Sequence, residues 1–170
     1  MPPQVEIRGV SCNEDMHQGP FFVDGCDTVT KLFARRCKEL GKRTAHREKV
    51  LGIWRSHSWD DYYERAMRIG LGLVSLGLKR GDVVSILSED NKEWAYMDMG
   101  IQCVGGIASG IYTTDAPAQV AHLLNDSTSK FLFVENDEML DKFLEAEKDV
   151  SGVEKVIILE RDGLHDFNHP

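Results

Sequence analysis

The chain lacks the basic excess of a nucleic-acid-binding protein. Its 20 Lys and Arg stand against 28 Asp and Glu, a formal net charge of −8, and nucleic acid is excluded as a partner on that ground. No apolar run approaches the ~20 residues a membrane helix needs, and no basic-then-apolar signal segment opens the chain. Cysteine is sparse. Cys12, Cys26, Cys37 and Cys103 make no Cys-x-x-Cys pair and no metal-ligand spacing with histidine, which reads as reduced thiols in a cytoplasmic protein. His165 and His169 have a metal-like spacing without a second pair of ligands, and His17, His46, His57 and His122 are scattered, so no metal is expected. A Gly-x-x-x-x-Gly-Lys-Ser/Thr loop and a Gly-x-Ser-x-Gly elbow are also missing. Gly70-Leu71-Gly72 with Gly77 imitates a dinucleotide fingerprint but lies inside a helical pattern. Close packing of that helix against the sheet is the expected use of these glycines.

What is present is an ordinary globular composition, 42% hydrophobic and 28% charged over 170 residues, enough for one domain with a real core. The stretch from Asp82 to Glu135 reads strand, helix, strand, helix, strand. Its strands, DVVSILS, GIASGIY and KFLFVE, are short apolar runs with little alternation, which predicts burial on both faces of a parallel sheet. A helix over Asp137–Asp149 and a strand over Val153–Glu160 extend the rhythm. Strand starts near Val83, Ile107, Phe131 and Val156 are 24, 24 and 25 residues apart, the period of βα units with one crossover helix each. The predicted class is α/β, a mainly parallel sheet with flanking helices, preceded by a helix and a β-hairpin.

The division expected from pattern is an irregular segment 1–27, a lead-in 28–81, a βα core 82–160 and a tail 161–170. In the lead-in, Thr28 caps a helix that Gly41 stops. Thr44–Trp59 reads as a hairpin turning at Gly52, with Trp54 and Trp59 flanking the return strand. Ser58 and Asp61 form a capping-box variant ahead of a helix whose apolar side is Tyr62, Ala66, Ile69, Leu73 and Leu76. In the core, Asn91 and Asp115 are placed to cap the two crossover helices, with Pro117 in the second one's first turn. Basic residues between Lys31 and Arg47 and acidic ones between Glu135 and Asp149 read as two solvated helix faces. The basic stretch has a sharper alternative as a docking surface.

Ligands of open α/β sheets sit beyond the carboxyl ends of the strands. Those ends carry Ser88-Glu89-Asp90-Asn91, Tyr112-Thr113-Thr114-Asp115 and Glu135-Asn136-Asp137. The first two are richer in hydroxyl, amide and carboxylate groups. Ser88, Glu89, Asn91, Tyr112, Thr113 and Thr114 are therefore the candidates for a substrate crevice, with helix capping as the competing use of Asn91.

From about Thr28 to Glu160 the chain carries an ordered set of short motifs. They are Ser58-Trp59-x-x-Tyr62, Leu73-x-x-Leu76-Gly77-Leu78-x-x-Gly81-Asp82-x-Val84, Ser88-Glu89-Asp90-Asn91-Lys92-Glu93-Trp94 and Asp98-x-Gly100-Ile101-Gln102-x-x-Gly105. Gly110-Ile111-Tyr112-Thr113-Thr114, Gln119 and Leu123-Leu124-Asn125-Asp126-Ser127 complete the set. Each is weak alone; their order and spacing together resemble the N-terminal part of the AMP-forming acyl-CoA synthetases, and Gly110–Thr114 with the Trp54/Trp59 hairpin resembles the long-chain fatty-acid ligases among them. Asp90-Asn91-Lys92 departs from the Asn-Arg-Pro more usual there, and Gly110 stands where shorter-chain members have proline.

The resemblance implies that a carboxylate attacks the α-phosphate of ATP and that CoA then displaces AMP from the acyl-adenylate. ATP, Mg²⁺ and CoA would serve the full-length enzyme, with a fatty acid as substrate. The family's Ser/Thr/Gly-rich loop ending in Pro-Lys-Gly, its Thr-Glu pair, its ribose-binding aspartate and its C-terminal lysine are not among these residues. The chain is thus expected to be an N-terminal fragment, inactive alone and binding no cofactor, whose partner is the remainder of the same enzyme. An apolar face left bare by that remainder would favour homo-oligomers. The whole enzyme is expected in the cytoplasm with peripheral membrane association. The competing reading is a free-standing α/β binding or oligomerisation module without catalysis.

Overall fold

The computed structural model describes residues 6–7, 10–11, 22–162 and 164. Cys12, His17, Phe21, His165, His169 and most of the tail lie outside them. The chain divides into two compact units, residues 1–63 and 64–170.

In the first unit, β1 (Glu6–Ile7) and β2 (Val10–Ser11) pair antiparallel. α1 (Val29–Leu40) starts at Thr28, whose side chain accepts from the Lys31 amide, and ends at Gly41, where φ is 47° and the N–H bonds the Cys37 carbonyl. Its buried side carries Phe33 and Cys37. β3 (Thr44–Val50) and β4 (Ile53–Ser58) form the hairpin, closed by Leu51-Gly52 with both φ values positive, the type I′ geometry that suits strand twist. Tyr62 gathers this unit's aromatics: its ring centroid lies 4.7 Å from Phe33, 4.4 Å from His46 and 6.0 Å from Trp59. The Ser58–Asp61 capping box forms, with the Asp61 amide on Ser58 Oγ at 3.1 Å and the Ser58 amide on Asp61 Oδ2 at 2.9 Å. It opens α2 (Trp59–Ser75).

The second unit holds a four-stranded sheet of β5 (Val83–Leu87), β6 (Ile107–Ile111), β7 (Ser129–Val134) and β8 (Lys155–Ile158). All neighbours are parallel, in the order β6-β5-β7-β8. The crossovers are α3 (Lys92–Cys103), α4 (Pro117–Asp126) and α5 (Asp137–Ala146). One apolar cluster joins Leu73, Met97 and Ile101 to Val84, Ile86, Phe131 and Phe133. The other joins Val120, Leu124, Met139, Leu140 and Phe143 to Leu87, Ile111, Leu132 and Val134. β5 and β7 alternate between the two clusters, so α2 and α3 cover one face of the sheet and α4 and α5 the other.

The parallel sheet and its helices are those the apolar runs predict, with local differences. Two-faced burial holds for the central β5 and β7, whereas the edge strand β6 leaves Ile107 54% exposed. Asp115 does not cap α4: the cap is Ala116, which makes no side-chain cap bond, and Pro117 opens the helix. The residue before a proline is pushed to extended geometry, so the boundary falls one residue past the aspartate. The helix expected over 137–149 is α-helical only to Ala146 and ends in a 3₁₀ turn, Glu147–Asp149. The last strand is Lys155–Ile158, shorter than the 153–160 expected. Leu76 lies beyond the end of α2 and is 43% exposed. Gly70 packs against a helix and not against the sheet. A Cβ there would meet the Gly100 carbonyl oxygen at 2.6 Å, and one on Gly100 would meet the Ala66 carbonyl oxygen at 2.6 Å. The two glycines let α2 and α3 cross with backbones in near contact.

Candidate functional site

The carboxyl ends of β5, β6 and β7 lie side by side, because β5 sits between β6 and β7. The helix after β5 covers one face and the helix after β7 covers the other, so the sheet's topological switch point falls between these two strands. Ligands of open α/β sheets are expected at such a point, but here side chains bridge it. The Glu135 carboxylate, directly after β7, accepts the Ser88 hydroxyl at 3.0 Å and the Glu89 amide at 2.6 Å. The Glu135 amide in turn donates to the Leu87 carbonyl at 3.1 Å. This carboxylate fastens the loop after β5 to the end of β7 with charge-assisted hydrogen bonds.

Space opens instead between the ends of β5 and β6. A cleft of about 530 Å³ is lined by Ser88, Glu89, Asp90, Trp94, Gly110, Ile111, Tyr112 and Thr113. The Thr113 hydroxyl donates to the Glu89 carboxylate across its mouth, and Lys142 Nζ donates to the Thr113 carbonyl from behind. Asn91 is turned inward: its Oδ1 accepts the Trp94 amide at 2.9 Å, capping α3, while its Nδ2 reaches Ser88 Oγ at 3.4 Å. Capping fixes the first turn of α3, and with it the Trp94 ring that walls the cleft. Gly110 leaves the opposite wall low; a Cβ there would rest 3.5 Å from Cζ2 of Trp94.

Four of the six crevice candidates, Ser88, Glu89, Tyr112 and Thr113, line this cleft. Asn91 supports it from beneath. Tyr112 is 80% exposed, and Thr114 is exposed and lies off the lining. Sequence reasoning passed over Glu135, Trp94 and Lys142. Glu135 had a signal, since it follows the apolar run of β7 as Ser88 follows that of β5.

The lining has two carboxylates, Glu89 and Asp90, and no lysine or arginine. Triphosphate recognition calls for cations or a nest of amides, so this cleft does not fit the phosphates of a nucleotide. Among the described residues no group of three or more His, Cys, Asp or Glu is arranged to hold a metal ion, and no helix is long and apolar enough to cross a membrane. A second cleft of about 510 Å³ lies between α5 and β8. Leu140, Phe143 and Val156 in its wall extend the adjacent core, and it contains none of the crevice candidates.

Comparison with known proteins gives the family. The long-chain-fatty-acid–CoA ligase ACSBG1 of Mus musculus is 30% identical over 139 residues, 82% of this chain and 19% of that protein. ACSBG2 of Xenopus laevis, another long-chain-fatty-acid–CoA ligase, is 31% identical over 137 residues, 81% of this chain and 18% of that protein. A fatty acyl CoA synthetase structure from Mycobacterium tuberculosis superposes with a TM-score of 0.69 at 21% identity, over 76% of this chain and 26% of that one. The chain thus spans about a fifth of the length of the curated relatives it matches. Residues 33–169 match the family described as AMP-binding enzyme, and the chain belongs to that family.

Proposed function

We propose that this chain forms one wall of the active-site crevice of an ATP-dependent long-chain fatty-acid–CoA ligase and is inactive by itself. The observation that carries the reading is the continuous match to long-chain ligases over 82% of the chain. It runs through the strand ends that line the cleft.

In the reaction of such a ligase, a fatty-acid carboxylate oxygen attacks the α-phosphorus of ATP and diphosphate leaves. The CoA thiol, losing its proton, then attacks the acyl carbon, and AMP leaves as the thioester forms. The first step gathers negative charge and needs cations and amide donors. The lining of this cleft carries two carboxylates and no lysine or arginine, so no step of phosphoryl transfer is assigned to its residues. ATP, Mg²⁺ and CoA would be held by parts of a longer enzyme. Trp94, Gly110, Ile111 and Tyr112 offer an apolar surface suited to the uncharged portion of a substrate. The bonds of Ser88, Glu89, Asn91 and Thr113 keep that surface rigid. On this reading the enzyme would work in the cytoplasm.

The test is incubation of the 170-residue chain with ATP, Mg²⁺, CoA and palmitate. The expected result is no AMP above the enzyme-free control. Measurable AMP release would overturn the claim that the chain is inactive alone.

A further inference from the structure

The β3–β4 hairpin ends in a patch that folding leaves uncovered. Leu51 is 97% exposed, Ile53 69% and Trp54 65%. The turn accentuates this. Leu51 occupies the first central position of a type I′ turn with φ at 48°, where asparagine, aspartate or glycine is the favoured residue. A leucine there is conformationally unfavourable and, 97% exposed, buries almost none of its side chain in return, so its apolar side chain calls for an explanation outside the fold.

Charge around the tip is mainly positive. Lys49 stands opposite Trp54, and Arg55 is opposite Glu48 one step further from the turn. Arg47 precedes Lys49 on β3. All three cations are exposed, and none stands in a salt bridge among the described residues. The hairpin's one carboxylate, Glu48, is engaged by the His57 ring at 2.8 Å. Three of the four cations of α1 differ: Lys31 pairs with Asp27, Arg35 with Glu39, and Arg36 with Asp24 and Glu39. In a chain whose net charge is −8, the hairpin tip is a local basic point crowned by leucine, isoleucine and tryptophan.

That combination matches the chemistry of a bilayer surface. Tryptophan favours the headgroup level, aliphatic side chains gain by entering the acyl boundary, and lysine and arginine are drawn to anionic headgroups. We propose that the β3–β4 tip is a membrane contact: Leu51, Ile53 and Trp54 insert into the interface of an anionic bilayer, and Lys49 and Arg55 hold it there by charge. The contact uses none of the cleft residues and stands whether or not the ligase reading does.

The test is flotation of the 170-residue chain with vesicles of phosphatidylcholine plus phosphatidylserine, and with vesicles of phosphatidylcholine alone. Leu51→Asn is the key variant, because asparagine suits the turn and the variant should melt no lower than the parent. The expected result is flotation on the mixed vesicles, about tenfold weaker on the neutral ones and about tenfold weaker for Leu51→Asn. Lys49→Glu with Arg55→Glu should abolish the preference for phosphatidylserine. Failure of the parent to float, equal flotation on both vesicles, or unchanged flotation of Leu51→Asn would overturn the proposal. So would a dimer, seen by light scattering, that Leu51→Asn dissolves while the parent ignores lipid, since the tip would then be a contact between copies.

Discussion

Adding one methyl group at Gly100 tests the packing that sets α3, and therefore Trp94 and the cleft wall. A Cβ there would stand 2.6 Å from the Ala66 carbonyl oxygen and 3.1 Å from Cβ of Ile69. Ordinary contact begins at 3.4 Å, so α2 and α3 must part by about 0.8 Å (3.4 − 2.6) at this point. The obstacle is helix backbone, which cannot rotate aside. Parting the helices would also loosen Leu73, Met97 and Ile101, which are buried in one cluster. Overpacking of this kind costs about 3 kcal/mol, and the better helix propensity of alanine returns about 1 kcal/mol. Gly100→Ala should therefore lose about 2 kcal/mol, lowering Tm by roughly 4–8 °C for a chain of this size. Gly72, on the same helix α2 as Gly70, has nothing within 4 Å of its Cβ position. Gly72→Ala should gain about 0.5–1 kcal/mol and raise Tm by about 2 °C. Far-ultraviolet circular dichroism melts of the two variants decide the matter. If both shift Tm in the same direction, the close approach of α2 and α3 is wrong.

Glu135→Ala removes the shared acceptor of the Ser88 hydroxyl and the Glu89 amide. It should cost about 2 kcal/mol in urea unfolding and speed hydrogen exchange at the Glu89 amide, which stays slow if the bridge is unimportant. Leu51→Asn should raise the unfolding free energy in urea by about 1 kcal/mol by relieving the positive φ; a lower value would show that the leucine is held by contacts in the fold. His46 has its pKa lowered, first by burial and then by the charge of His57. Its depressed value in the fold means the stability it confers is complete above the unfolded value of 6.5 and is lost as pH falls through the folded value. His46→Phe, which keeps a ring beside Tyr62, should flatten the pH dependence of the urea midpoint below about pH 6.5; an unchanged slope would reject the assignment.

The elements legible in the sequence were those whose signal is local. Asn91 announces α3 because an asparagine cap needs only its own next turn, and the apolar runs of β5 and β7 are read without knowing their neighbours. Asp115 misled because the proline two residues on moved the boundary. Gly70 and Gly100 are 30 positions apart, and nothing local says that their helices cross there. Glu135 shows the same limit at the site. Its place after a strand was readable, but its partners depend on β7 lying beside β5, and strand order is a property of the whole sheet. Ser88, Glu89, Tyr112 and Thr113 line one cleft because β5 and β6, consecutive in sequence, are also neighbours in space.

The central claim is that this chain supplies a crevice wall to a fatty-acid–CoA ligase without supplying its phosphoryl-transfer chemistry. The most direct measurement replaces the matching segment of mouse ACSBG1 with this chain and follows palmitoyl-CoA and AMP formation from palmitate, ATP and CoA. The chimera should form both products, and Trp94→Ala in it should raise the KM for palmitate about tenfold while that for ATP stays within twofold. A folded chimera that makes no product, or one in which Trp94→Ala changes the KM for ATP and leaves that for palmitate alone, would contradict the claim.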